Sequence, residues 1–167
     1  VAHEPPAIPV LPDAEAAERA RAGFFDVYNA KGGNAGMAAF IAMTSWKGEF
    51  TDEYFAAPAP DPAMFGMPTE DDGRRDDPLL SDISWAVSSY SPDVDALTAA
   101  PTRVVVGVGE ESTGVFTGRT SVALAALLGQ EATVFPSHHG GFLGGEHGYA
   151  GKPAEFAATL REVLDAS

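Results

Sequence analysis

The chain contains no cysteine, and its 10 lysine and arginine residues face 24 aspartate and glutamate residues. The missing cysteines exclude disulfide bonds, zinc–thiolate centres and thiol nucleophiles. A formal net charge of −14 leaves no basic patch, so nucleic acid and membrane surfaces are not expected partners. No apolar run approaches the roughly 20 residues of a membrane-spanning helix. We therefore expect an acidic, soluble and cytoplasmic protein.

The 167 residues are enough for one ordinary domain with a core of its own. The β-branched run at residues 104–106 is typical of a strand that is buried on both faces, as in parallel sheets. Gly107 and Gly109 are predicted to let the backbone turn at the carboxyl end of this strand. The polar residues 110–112 would then emerge from the end of the strand.

A helix is predicted over residues 116–128, because its apolar residues have helical spacing and Gly129 follows as a stop residue. A second short strand is predicted over residues 132–135. The loop after it carries His138 and His139. In open parallel sheets, ligands and chemistry gather outside the carboxyl ends of the strands. The pattern therefore predicts an acid and a histidine at one edge of a sheet.

The residues between 13 and 100 are predicted to be mostly helical. Asp13 can cap a helix that runs to about residue 30, and a third helix is expected over residues 79–90. Between them, Met37 and Phe40 belong to the apolar stripe of a second helix. This stripe favours core packing, and it would also suit an acyl pocket if the helices form a lid. The loop rich in proline and acidic residues before the third helix is typical of a lid.

This order of elements resembles the C-terminal part of the α/β-hydrolase superfamily, in which the acid follows one strand and the histidine follows the next after one helix. FPSHHGGF, residues 135–142, is similar to a FPGxHxGF phrase common in such hydrolases. Residues 153–164 resemble the closing helix, and VAHEPP, residues 1–6, resembles the strand after the nucleophile helix. The resemblance implies an α/β fold: a partial α/β-hydrolase with a few-stranded parallel sheet and an inserted helical cap.

The same resemblance implies three parts of the chain. Residues 1–12 would be a core strand with its connector, residues 13–100 a helical cap or lid, and residues 101–167 the C-terminal part of the hydrolase core. The protein would be a serine hydrolase acting on a small ester or thioester substrate, with a hydrophobic acyl group as the favoured part of that substrate. We expect no cofactor, and His138, His139 and His147 match no zinc-binding spacing.

The resemblance assigns His139 as the catalytic base, because it precedes two glycines and aligns with the histidine of the family. The acid stays open, since the family has aspartate where this chain has Ser112. Glu111 is the first choice and Glu110 the second. Glu4 is a further option, because some hydrolases place the acid after the strand that it ends.

Three apolar side chains are predicted to contact the substrate: Met37, Phe40 and Phe142. One required part is missing, since no G-x-S-x-G pentapeptide for a nucleophile occurs in the sequence. We expect that an N-terminal partner chain supplies it, or that the chain associates with itself, because an unpaired sheet edge would otherwise be exposed. The alternative function is a non-catalytic, hydrolase-derived fragment that acts in binding or assembly.

Overall fold

The computed structural model describes residues 1–146 and 148–166. Within these residues the chain has a mixed α/β fold with seven α-helices and one three-stranded parallel sheet. The chain divides into two compact units, Ala7–Ser91 and the segment Val1–Pro6 together with the chain from Pro92 onward. This division places residues 7–12 in the helical unit and residues 92–100 in the sheet unit, whereas the sequence predicted boundaries after residues 12 and 100.

The helical unit is built from four α-helices and two short 3-10 helices. The α-helices are α1 (Ala14–Lys31), α2 (Gly33–Ser45), α3 (Asp52–Ala56) and α4 (Asp82–Ser88), and the 3-10 helices are Ile8–Val10 and Pro62–Phe65. α1 packs against α2, and the buried apolar residues of the two helices are Ala17, Ala20, Phe24, Tyr28, Ala38, Ala39 and Met43. A Cβ atom at Gly36 would lie 2.6 Å from the Cβ of Tyr28, so this contact requires a glycine.

Two local predictions for the helical unit need correction. The third predicted helix is shorter than residues 79–90 and begins only at Asp82, because Pro78 and the turn after it come before the helical hydrogen bonds. Asp13 does precede α1, but it makes no capping hydrogen bond to that helix. Its carboxylate instead accepts the backbone N–H of Phe50 at 2.8 Å, which ties the residue-50 segment to the start of α1.

The sheet unit contains three parallel strands in the order β1-β2-β3. They are β1 (Ala2–His3), β2 (Val106–Gly109) and β3 (Thr133–Phe135), and the helices of this unit are α5 (Val94–Ala99), α6 (Phe116–Leu127) and α7 (Pro153–Asp165). α6 packs on β2, and α7 packs on β3 through Phe156. The largest buried apolar residues of this unit are Val106, Phe116, Leu124, Phe135 and Phe156. No helix of the described residues is long and apolar enough to cross a membrane.

The two glycines expected at a turn lie inside β2, and neither has a positive φ angle. Packing, rather than backbone freedom, explains them. A Cβ atom at Gly107 would lie 2.8 Å from the ring of Phe135, and one at Gly109 would lie 2.6 Å from the carbonyl oxygen of Ser137. The glycines thus let β3 and the loop after it approach β2 closely, and the strand runs on to residue 109.

Candidate active site

The carboxyl ends of the three strands lie at one edge of the sheet. β1 is followed by Glu4, β2 by Glu110, and β3 by the loop that carries the histidines. The backbone N–H of Glu4 donates to the carbonyl of Gly107 at 3.0 Å, and the N–H of Glu110 donates to that of Phe135 at 2.9 Å. These hydrogen bonds continue the sheet beyond its strands, so the three segments stay side by side where their functional residues emerge.

Glu4 is a fully buried carboxylate that is surrounded by hydrogen-bond donors. Its Oε1 atom accepts the backbone N–H of Gly109 at 2.8 Å. Its Oε2 atom accepts the hydroxyl of Thr117 at 2.6 Å and lies 3.1 Å from Nδ1 of His139. A charged group without exposed surface is tolerated only where its oxygens are satisfied in this manner.

Two opposing effects set the pKa of Glu4. Burial raises it, because removal from water disfavours the charged form. Hydrogen bonds to the carboxylate lower it, and the donors are His139, Ser112, Thr117 and the backbone N–H of Gly109. The hydrogen bonds outweigh the burial, so that the pKa of Glu4 falls to about 2. Glu4 is therefore ionised at neutral pH.

The backbone of Glu4 adopts a left-handed conformation with φ 47°. This region is sparsely populated for residues with a side chain, and a conformation of this kind costs about 1–3 kcal/mol. It persists here because both neighbouring segments are fixed. β1 is hydrogen-bonded to β2, and the hydroxyl of Thr120 holds the carbonyl of Pro5 at 2.7 Å. Strained residues held in this way concentrate at functional sites.

His139 is the exposed partner of this buried carboxylate, since 61% of its side chain is accessible. An ionised carboxylate can only accept hydrogen bonds, so the Nδ1 atom of His139 carries the proton in the contact with Glu4. The neutral ring then has its lone pair on Nε2, the nitrogen that Glu4 does not engage. A carboxylate that fixes the tautomer in this way leaves Nε2 able to accept a proton as a general base.

Glu110 and Glu111 lie at the same edge but have a different partner. Glu110 accepts hydrogen bonds from Nζ of Lys152 at 2.6 Å and from the backbone N–H of Ser137 at 3.1 Å. The hydrogen bond from Lys152 is the main reason that the pKa of Glu110 is lowered. Glu111 lies 3.8 Å from the same ammonium group. The structure thus brings Glu4 to His139 and directs the two exposed glutamates toward a lysine.

Ser112 lies close to the buried carboxylate of Glu4 and acts on its pKa. The resemblance places an aspartate at this position, and the serine that occupies it is only 2% exposed. Its side chain is among the donors that lower the pKa of Glu4. Ser112, three residues after the end of β2, therefore supports a carboxylate that follows β1.

The three residues predicted to contact substrate lie in different parts of the chain. Phe40 packs edge-to-face on Phe24 with ring centroids 5.5 Å apart. Met37 lines a cavity of about 380 Å³ within the helical unit. Phe142 belongs to the sheet unit, is 55% exposed, and rests against Phe156 with ring centroids 5.7 Å apart. Phe142 is thus the one of the three that the structure places on the histidine loop.

Two glycines, Gly140 and Gly141, follow His139 directly. The structure gives them an internal role. A Cβ atom at Gly140 would lie 2.9 Å from the Leu143 side chain, and one at Gly141 would lie 2.7 Å from the carbonyl oxygen of Pro136. Gly141 is therefore needed for the loop to fold back on itself, whereas at position 140 the end of the flexible Leu143 side chain can shift to admit a Cβ atom.

His3 is a second imidazole close to His139, and the sequence favours a structural role for it. Its ring lies nearly parallel to that of His139, with centroids 6.4 Å apart, and meets the rings of Phe135 and Phe156 edge-on. Among the described residues, neither buried ring nitrogen makes a hydrogen bond of standard geometry, although backbone groups of His138 and His139 lie close enough to raise the pKa of His3. Burial lowers the pKa of His3, although the nearby Glu4 partly offsets this effect.

The metal-binding alternative involved His138, His139 and His147. His147 lies outside the described residues. Both ring nitrogens of His138 face backbone groups, namely the N–H of Gly140 and the carbonyl of Ala150. Nδ1 of His139 faces Glu4. Among residues 1–146 and 148–166, no group of three histidine or acidic side chains is arranged to hold a metal ion.

Comparisons of the chain with protein-family models, with curated proteins and with solved structures give no match. The site is consequently interpreted from its own geometry, which consists of a buried and ionised glutamate, an exposed histidine oriented by it, and a strained backbone at the glutamate.

Proposed function

We propose that Glu4 and His139 form the acid–base half of an ester or thioester hydrolase site of the α/β-hydrolase type. One observation carries the proposal: the 3.1 Å contact between a fully buried carboxylate and Nδ1 of a largely exposed imidazole. In a triad the acid orients the histidine and stabilises the imidazolium, while the other ring nitrogen takes the proton of the nucleophile. The exposure of His139 suits that task, since the nucleophile and the substrate must both reach its Nε2 atom.

In this proposal the acid follows β1 instead of β2. The α/β-hydrolase resemblance admits that position, and two features of the chain support it. Glu4 has a lowered pKa and a direct contact with the histidine, whereas the nearest partner of Glu110 and Glu111 is Lys152. Ser112 then acts as a hydrogen-bond donor to the acid, and no aspartate is required at its position.

The nucleophile has to come from a second polypeptide segment. We propose that this segment adds a parallel strand at the outer edge of β1. In the described residues β1 pairs on one side only, and the amides of Ala2 and Glu4 both bond to the β2 side. In a parallel pair, successive residues bond to opposite sides of the strand. His3, which lies between Ala2 and Glu4, therefore directs its N–H and C=O away from β2. The backbone of His3 is therefore available to a further strand, which would bring its own carboxyl end to the Glu4 edge.

The proposed substrate is a small ester or thioester with a hydrophobic acyl group. The exposed ring of Phe142, three residues after His139, supports an apolar contact next to the base. The prediction from the sequence that Met37 and Phe40 contact an acyl group stays a prediction.

A second candidate function is binding or assembly without catalysis. The absence of a G-x-S-x-G pentapeptide from the sequence favours it, since the chain has no nucleophile of the expected kind. The same open strand edge would then serve only to attach a partner.

The two candidates are separated by intact mass measured on the purified protein before and after treatment with a fluorophosphonate. The hydrolase proposal predicts a second polypeptide in the sample that gains the mass of one phosphonyl group. His139→Gln should suppress this labelling while the partner still co-purifies, and Lys152→Met, at the exposed lysine, should label like the wild type. If this chain is present alone and unlabelled, the hydrolase proposal fails and the binding candidate is favoured.

A further inference from the structure

His138, the neighbour of the proposed base, makes contacts that differ in kind from those of His139. It is only 7% exposed. Its Nδ1 atom faces the backbone N–H of Gly140 at 3.0 Å, and its Nε2 atom lies 3.2 Å from the carbonyl oxygen of Ala150. The ring also stacks on Tyr149, with centroids 3.9 Å apart. His138 therefore joins the two halves of the loop that follows β3.

These contacts define one protonation state of the ring. A backbone N–H needs a lone pair opposite it, so Nδ1 of His138 must be unprotonated where it meets Gly140. A carbonyl oxygen needs a donor, so Nε2 must carry the proton where it meets Ala150. The neutral Nε2–H tautomer satisfies both groups at once. Neither the Nδ1–H tautomer nor the imidazolium does so, because each would place a second hydrogen against the N–H of Gly140.

The backbone around His138 shows what its ring holds together. The carbonyl of His138 accepts the N–H of Gly141 at 2.8 Å, and the carbonyl of Gly141 accepts that of Lys152 at 2.9 Å. A Cβ atom at Gly151 would lie 2.4 Å from the carbonyl oxygen of Gly141. The loop is thus folded tightly onto the residues before α7. His139 lies within the turn that closes this arrangement, although its own side chain is mostly exposed.

We propose that His138 is a positioning residue, which in its neutral Nε2–H form fastens the loop so that Nδ1 of His139 stays directed at Glu4. The exposed ring of His139 has little packing of its own to fix its direction, so the backbone that carries it must supply the orientation. An apolar side chain in place of His138 would fill the same space, but it would leave Gly140 and Ala150 without a partner. The inference deepens the proposed function and rests on it, because it gives the proposed base its support.

Four variants separate the parts of this role. His138→Asn places an amide oxygen near the position of Nδ1. This oxygen can accept the backbone N–H of Gly140, as asparagine side chains do in turns. His138→Gln reaches the former Nε2 and can donate to Ala150. His138→Phe keeps the stacking on Tyr149 without either hydrogen bond. His138→Leu removes the ring altogether and serves as the matched apolar control.

The readout is NMR of the full chain, which needs no catalytic turnover. In the wild type, the ¹⁵N shifts of His138 should report the neutral Nε2–H tautomer, and the Nδ1–H proton of His139 should give a downfield signal from its bond to Glu4. In His138→Phe and His138→Leu we expect that signal to vanish, with exchange of the Gly141 and Lys152 amides about tenfold faster or more. His138→Asn should restore most of the signal, and His138→Gln should restore part of it.

Two results would overturn the inference. One is a wild-type His138 that is doubly protonated or in the Nδ1–H form at neutral pH, a measurement that needs no variant to fold. The other is a His138→Phe chain that retains the His139 signal and the slow exchange of both amides. Either result is distinct from a failure of the hydrolase proposal, since fluorophosphonate labelling reports the nucleophile and this experiment reports the histidine loop.

Discussion

Replacing Glu4 with glutamine is the substitution that tests the centre of the site most directly. The shape of the side chain is kept, while the charge is lost and one acceptor oxygen becomes a donor NH2 group. If the NH2 group faces Gly109, it meets a backbone N–H that cannot accept a hydrogen bond; if it faces the other side, the hydroxyl of Thr117 can turn to accept, but the protonated Nδ1 of His139 cannot. A buried polar group left without a partner costs about 1–3 kcal/mol, and groups near charges cost more.

The lowered pKa of Glu4 gives a similar value for the free energy that its carboxylate contributes to folding. It falls from an ordinary value of 4.5 to about 2, and each unit is worth about 1.4 kcal/mol. The ionised carboxylate therefore stabilises the folded chain by about 3 kcal/mol at neutral pH. Because the pKa is lower in the folded state, this stabilisation is complete above pH 4.5 and is lost as the pH falls toward 2.

Urea unfolding followed by circular dichroism between pH 7 and pH 2.5 measures this contribution. At pH 7 we expect Glu4→Gln to lower the free energy of unfolding by about 2–4 kcal/mol. The difference from the wild type should shrink steadily below pH 4.5, because the wild type loses its charge there. Glu111→Gln, at an exposed glutamate of the same edge, is the matched control and should change little. A Glu4→Gln chain as stable as the wild type at pH 7, or a gap that does not depend on pH, would refute the reasoning.

Three further substitutions test the packing around the site by thermal or urea unfolding. Gly109→Ala should destabilise the chain by about 1–3 kcal/mol, since its Cβ would lie 2.6 Å from a backbone carbonyl; an unchanged midpoint would contradict the close approach. His3→Phe should be neutral or stabilising by up to about 1 kcal/mol, because it removes two buried nitrogens that lack hydrogen bonds of standard geometry, and a clear loss of stability would mean that their contacts with the backbone of His138 and His139 stabilise the fold. Lys152→Met should leave stability nearly unchanged because its ion pair with Glu110 is exposed, and a strong effect would show that the pair is structural.

Local sequence signals predicted two helices of the sheet unit well. The helix expected over residues 116–128 is observed as Phe116–Leu127, and the one expected over residues 153–164 as Pro153–Asp165. Both have a regular apolar period and a clear stop or start residue, so neighbours in sequence decide their limits. The short strands and the helix at Asp82 were less well placed, since pairing and packing with distant residues set where they begin and end.

The pairing of Glu4 with His139 could not be read from the sequence, because the two residues are 135 positions apart. Three glutamates were possible partners, and each was expected to follow a strand. Which glutamate pairs with His139 depends on groups that no motif connects. The hydroxyl of Thr117 and the backbone N–H of Gly109 bind Glu4, while Lys152 contacts the other two glutamates. One local signal did point to Glu4, since the prolines after it end β1 at the edge where ligands bind.

The stability of the fold does not by itself explain why an ionised Glu4 is buried in contact with His139. A buried charge can often be replaced by apolar residues with no loss of stability, so the fold has no need of an ionised Glu4 on a strained backbone. The hydrogen bond from His139 lowers the pKa of Glu4 more than any other, yet the ring of His139 is mostly exposed and would be well solvated without this contact. The hydrogen bonds from Gly109 and Thr117 already satisfy both carboxylate oxygens. The contact determines the direction of the imidazole and places its proton on Nδ1. These two properties have a consequence only if Nε2 of His139 takes part in a reaction or binds a ligand.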